Sequence, residues 1–125
     1  ARGMAFAPDG TLLCAGIINV TNAFAGVGNP AVIAFPWADG KAKVLKTKET
    51  FQGTAWGVGT LPGGYTIAAG GGSGGRIWFW KGEDLTSIHT VSLASNARDL
   101  AIHPASDRIA VALANGTTSV YTLIK

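Results

Sequence analysis

Apolar residues along this chain come in short runs of alternating register, broken at close intervals by glycine, proline, asparagine or aspartate. The clearest run is Ile77-Trp78-Phe79-Trp80. A period of two puts Trp78 and Trp80 on one face of an extended chain and Ile77 and Phe79 on the other. Both faces are apolar, which predicts a strand covered on both sides. Stacked sheets supply such cover and a lone hairpin does not. The glycine-rich run 70–75 just before it reads as the turn that leads in.

The context of that strand is written three times. Met4-Ala5-Phe6-Ala7-Pro8-Asp9-Gly10, Trp56-Gly57-Val58-Gly59-Thr60-Leu61-Pro62 and Leu100-Ala101-Ile102-His103-Pro104 are each an alternating strand running into a proline turn. Each is followed by a second strand (Thr11–Ile17, Tyr65–Gly70, Arg108–Ala114) and a third (Ala31–Trp37, Arg76–Lys81, Thr117–Leu123). After the first two comes a more polar fourth strand, near Ala42–Thr47 and Thr86–Leu93. Met4, Trp56 and Leu100 align, as do Phe35, Trp80 and Tyr121, so one unit is about 40–45 residues, the size of a propeller blade. The predicted units are 1–52, 53–96 and 97–125, the last without a fourth strand. The first carries a long, weakly polar loop, Asn19–Pro30, between its second and third strands. The corresponding turn of the last unit is Asn115-Gly116, a two-residue hairpin signal.

The segments Phe6-Ala7-Pro8-Asp9-Gly10-Thr11 and Ile77-Trp78-Phe79-Trp80-Lys81 resemble the first turn and third-strand end of WD40 repeats, and the resemblance runs the length of the chain. It implies an all-β fold: a β-propeller segment of three four-stranded antiparallel blades belonging to a larger ring. The Pro-Asp-Gly turn also occurs in lactonase-like and NHL propellers. The Gly-His pair of the WD40 repeat is missing, and the Trp-Asp pair is Phe35-Pro36, Trp80-Lys81 and Tyr121-Thr122. The repeat's buried polar network therefore cannot form. Apolar packing at the blade interfaces, through Trp56, Trp78, Trp80, Phe35 and Tyr121, is expected to replace it.

Composition agrees. Hydrophobic residues make up 47% and charged residues 14%, well under the usual share of about 25% charged. Much of the surface must therefore be neutral or covered. A ring takes about four to eight blades, so three leave two apolar faces open. The expected partners are further blades, from copies of the chain or from the rest of a longer one. A first unit that opens on an inner strand and a last that stops after a third favour one section of a larger ring. Self-association stays open, because two copies give six blades and three give nine.

Net charge is +3 with no basic block, so no nucleic-acid partner is expected. Lys41, Lys43, Lys46 and Lys48 read as an outer strand protected against edge pairing, with a polyanion contact as the other reading. No apolar run spans a membrane. Cys14, the lone cysteine, sits in an apolar run and reads as a small core residue. With no signal-peptide pattern, it favours a cytoplasmic setting without fixing the compartment.

The resemblance places the innermost strand of each blade along a central channel. Arg2 and Arg98, each two residues before the aligned Met4 and Leu100, then stand at one rim as candidate anion or acidic-peptide contacts. Thr54 would be their counterpart in the middle unit. Asp99 beside Arg98, and Phe24 in the long loop, are the other candidates for a peptide or protein contact. His89 and His103 are too far apart to argue a metal site, and the glycine run lacks the Gly-Lys-Ser/Thr ending of a phosphate loop. No catalytic residue, cofactor or metal is expected. The leading expectation is a non-enzymatic interaction or scaffold module. The alternative is a subdomain of a propeller enzyme, a lactonase-like hydrolase or quinoprotein, with its active residues elsewhere.

Overall fold

A computed structural model describes residues 3–22, 27–36, 41–72, 74–103 and 108–122. Within them the chain is all β, in three antiparallel sheets. The first holds β1 (Gly3–Phe6), β2 (Leu12–Asn22), β3 (Val27–Phe35) and β4 (Lys43–Lys46). The second holds β5 (Gly53–Leu61), β6 (Tyr65–Gly72), β7 (Gly75–Lys81) and β8 (His89–Leu93). The third holds β9 (Ala97–Ile102), β10 (Arg108–Leu113) and β11 (Thr118–Thr122). Within each sheet the strands pair in chain order, the meander that short turns between antiparallel strands produce. The first turn shows why it forms. The Thr11 N–H donates to Asp9 Oδ1 at 2.9 Å and the Gly10 N–H to Ala7 O at 2.9 Å, with Gly10 at φ 90°. A positive φ suits glycine and few other residues.

The sheets stack face to face through two cores. Leu13, Ala15, Val32, Ala34 and Leu45 of the first sheet pack on Val58, Ala68, Trp78 and Trp80 of the second, with Phe51 from the β4–β5 connection. Ile67, Ala69, Ile77 and Phe79, on the second sheet's other face, pack on Ala97, Ile109, Val111 and Leu113 of the third. β7 is thus the doubly covered strand that its alternation predicts, with residues 77–80 all buried. The indole N–H of Trp80 donates to the Lys46 carbonyl at 2.8 Å, which helps tie the second sheet to the outer strand of the first. The Trp78 indole N–H is buried without an acceptor among the described residues, a local cost of about 1–3 kcal/mol.

Three expectations are corrected. The glycine-rich run 70–75 is mostly strand, not turn, since β6 extends to Gly72 and β7 begins at Gly75. Backbone approach is the reason: a Cβ at Gly70, Gly72 or Gly75 would strike the carbonyl of Thr54, Gln52 or Ser95, and one at Gly71 would meet Asn96 at 2.7 Å. The Asn19–Pro30 loop is largely a continuation of the β2–β3 ladder, which pairs Asn22 with Val27 after an irregularity beyond Ile18. Asn19 there has φ 56°, a left-handed conformation asparagine tolerates.

The Asn115-Gly116 turn is longer than two residues. Gly116 has φ 88°, but Asn115 does not have a positive φ, and the Leu113 N–H donates to Thr117 O at 2.9 Å. A two-residue type I′ turn needs both central residues at positive φ. Phe35, expected at a blade interface, is 43% exposed among the described residues. Alternation aims it away from the Val32 and Ala34 face, toward the side of the first sheet that no other described element covers.

Candidate functional site

The inner strands β1, β5 and β9 run side by side at one end of the sheets. Each of β5 and β9 carries one extra residue. β5 pairs Ala55 with Gly70 and Gly57 with Ala69, leaving Trp56 over. β9 pairs Ala97 with Leu113 and Asp99 with Ala112, leaving Arg98 over. These are β-bulges, which re-aim a side chain out of the ladder. The two bulged residues meet, the Arg98 guanidinium lying 5.8 Å from the centre of the Trp56 ring.

This revises the alignment of the repeats. Met4 pairs with Cys14, Val58 with Ala68 and Leu100 with Val111. Val58 therefore holds the place of Met4 and Leu100, and the bulge moves Trp56 into the place of Arg98, where Thr54 was expected. Trp56 is half-buried beside Arg98 of the neighbouring sheet and lies outside the two apolar cores that hold Trp78 and Trp80. Tyr121 pairs with Ile109 as Trp80 pairs with Thr66, and it packs at the margin of the second core.

Among the predicted contacts, Arg98 and Asp99 are adjacent and exposed on β9, while Arg2 and Phe24 lie outside the described residues. One Asp99 oxygen takes the Leu100 N–H at 2.8 Å, which holds the carboxylate against its own strand. The Arg98–Trp56 pair presents a planar donor fork over an indole ring, an arrangement suited to a carboxylate or a peptide backbone. It contains no nucleophile beside a general base. His89 lies on the outer strand β8, 5.6 Å from the Phe79 ring, and His103 follows β9 in the next sheet. Among the described residues no group of three or more His, Cys, Asp and Glu could hold a metal, and no helix is long and apolar enough to cross a membrane.

The lysines of the first sheet stand on and beside its outer strand. Lys43 reaches Glu83 of the second sheet at 3.4 Å, an exposed ion pair of little energetic weight. Besides the Trp80 indole bond, three hydrogen bonds cover the β4 end from the second sheet: Lys46 N–H to Leu85 O, Ser87 N–H to Lys46 O and Lys48 N–H to Ser87 Oγ. Among the described residues Asp9 is the titratable group held away from its ordinary value. The Thr11 backbone N–H, then the Thr11 hydroxyl, hold its carboxyl below the ordinary value of 3.8.

Phe51 was not singled out in the sequence. It is buried, meets Trp78 edge-on at 5.5 Å and has the Arg76 guanidinium 5.0 Å from its ring centre. Its only signal was an apolar residue alone in the polar linker between β4 and β5. No protein-family model matches the chain, and no curated protein is significantly similar to it.

Proposed function

We propose that the chain is a WD40-like propeller segment that works as a non-enzymatic interaction or scaffold module within a larger ring of blades. The supporting observation is the contrast between its inner and outer sheet faces. Each face turned to a neighbouring sheet is buried. The outer face of the first sheet leaves Met4 69%, Phe6 67% and Phe35 43% exposed, and that of the third leaves Val120 65% exposed. Large apolar side chains displayed together on a sheet face indicate a surface that another element covers. On this reading further blades cover both ends, and the bulged residues Trp56 and Arg98 with Asp99 mark the rim that meets a peptide or protein.

Light scattering of the chain across a wide concentration range tests it. Association, or binding of neighbouring blades supplied in trans, is the expected result. A monomer with a sharp cooperative melt at every concentration would sink it, because the end faces would then need no cover.

A further inference from the structure

The two end faces fit each other, and we propose that a second copy of this chain docks head to tail, the first sheet of one copy seating on the third sheet of the other. The inference rests on the reading above and names what covers the ends.

The internal junctions supply the rule. Between the second and third sheets, Gly57 and Gly59 of β5 lie under the neighbouring inner strand. A Cβ on Gly57 would meet Leu100 N at 2.7 Å, and one on Gly59 would strike the Ile102 side chain. Leu100 and Ile102 are thus knobs seated over two side-chain-free positions. Strand register carries these places to the ends. Ala5 pairs with Leu13, Gly59 with Ile67 and Ala101 with Ala110, so Ala101 is the third sheet's counterpart of Gly59. Phe6 pairs with Leu12, Thr60 with Thr66 and Ile102 with Ile109, so Phe6 is the first sheet's counterpart of Ile102. Continuing the stack by one more sheet puts Phe6 over Ala101.

Bulk decides whether the fit is good, since interiors pack at near-crystalline density. At the first junction the seat is Ala5, Leu13 and Ala34, and the incoming set is Thr60, Thr66 and Trp80. At the second the seat is Gly59, Ile67 and Phe79, and the incoming set is Ile102, Ile109 and Tyr121. The end seat, Ala101, Ala110 and Val120, is the least bulky in side chain beyond Cβ. The end set that would enter it, Phe6, Leu12 and Phe35, is wholly large and apolar. Open hollows of about 450 Å³ and 200 Å³ flank Ala101 and Ala110 on that outer face, room that the aromatic side chains would take up. Asp99 stands where the internal junction has Gly57, so the copies meet at a wider spacing beside the inner strands than sheets within a chain do. The interface uses two different surfaces, so it is heterologous and closes into a ring or continues as a stack.

The test uses the full 125-residue chain and two substitutions at exposed positions, Phe6→Asp and Ala101→Glu, with circular dichroism melts to check folding. The wild type is expected to run as a multiple of the chain mass by light scattering, and each variant alone as one chain. Mixing the two variants is expected to restore a dimer, because one intact seat then meets one intact set of knobs. A wild-type monomer at all concentrations would overturn both this proposal and the need for covered ends. An assembly abolished by Phe6→Asp but indifferent to Ala101→Glu, or a mixture that stays monomeric, would overturn head-to-tail docking alone and leave the covered-end reading in place.

Discussion

Trp80 and Phe35 hold the same place in successive sheets, one opposite Thr66 and the other opposite Leu12. Trp80 is 1% exposed and Phe35 is 43% exposed. The strands, the turns before them and the apolar character are alike. What differs is that a sheet lies against the Trp80 side of the second sheet, while the matching side of the first faces outward. On the proposed reading, a large aromatic at this position is written for a neighbour. Its contribution to stability is realised only where that neighbour is present, because the gain comes from area removed from water.

The widest separation between the two positions is expected from truncation to alanine in dilute chain. Trp80→Ala should cost about 3–5 kcal/mol, the range for a buried large aromatic, and it also strips the Lys46 carbonyl of its indole donor. Phe35→Ala should cost less than about 1 kcal/mol, the range for a side chain away from packed features. Urea unfolding followed by tryptophan fluorescence for Phe35→Ala, and by circular dichroism for Trp80→Ala, measures both. Equal losses would mean that Phe35 is already covered within one chain.

A smaller effect separates the inner strands. Gly57 and Asp99 are register equivalents, one beneath a neighbouring strand and one exposed. Gly57→Asp should cost about 1–3 kcal/mol by forcing the β5–β9 approach apart. Asp99→Gly should cost only about 0.5–1 kcal/mol, chiefly through backbone entropy. If head-to-tail docking holds, Asp99→Gly also lets the copies approach more closely and strengthens association in the same light-scattering series. Thermal melts of the two variants, run beside the wild type, read the first contrast directly. A harmless Gly57→Asp would mean that the close approach of β5 and β9 is not needed for folding.

The sheets were legible because period-two alternation and proline or glycine turns are properties of neighbouring residues. Ile77–Trp80 announces a doubly covered strand without help from the rest of the chain. The bulges at Trp56 and Arg98 were not legible. One extra residue leaves composition and turn signals unchanged and shows only as a shift in pairing, so the alignment through Trp56 missed the true counterpart of Leu100. The glycine run misled for a related reason. Glycine marks a turn by its conformational freedom or a close approach by its missing side chain, and the letters are the same for both. Of the residues proposed for the rim, Arg98 and Asp99 stand two and one residues before Leu100 in the sequence. The meeting of Arg98 with the Trp56 ring depends on two bulges falling side by side.

The smallest expected effect lies where the covered and uncovered regions should not differ, at an exposed strand-joining turn. Asp9 is held below the ordinary carboxyl value of 3.8 by the Thr11 N–H and hydroxyl. A carboxylate whose folded pKa is depressed stabilises the fold above its unfolded value and loses that contribution as pH falls through the folded value. The wild type should therefore lose a small increment of stability below about pH 4. Asp9→Ala should be slightly less stable at neutral pH and should lack that acid-side increment. Because Asp9 itself is not one of the end-face residues Phe6, Leu12 and Phe35, the difference should be the same in dilute monomer and in any assembly. Thermal melts from pH 3 to 7 for the two chains measure it, and identical pH profiles would mean that the Asp9–Thr11 hydrogen bond does not persist in solution.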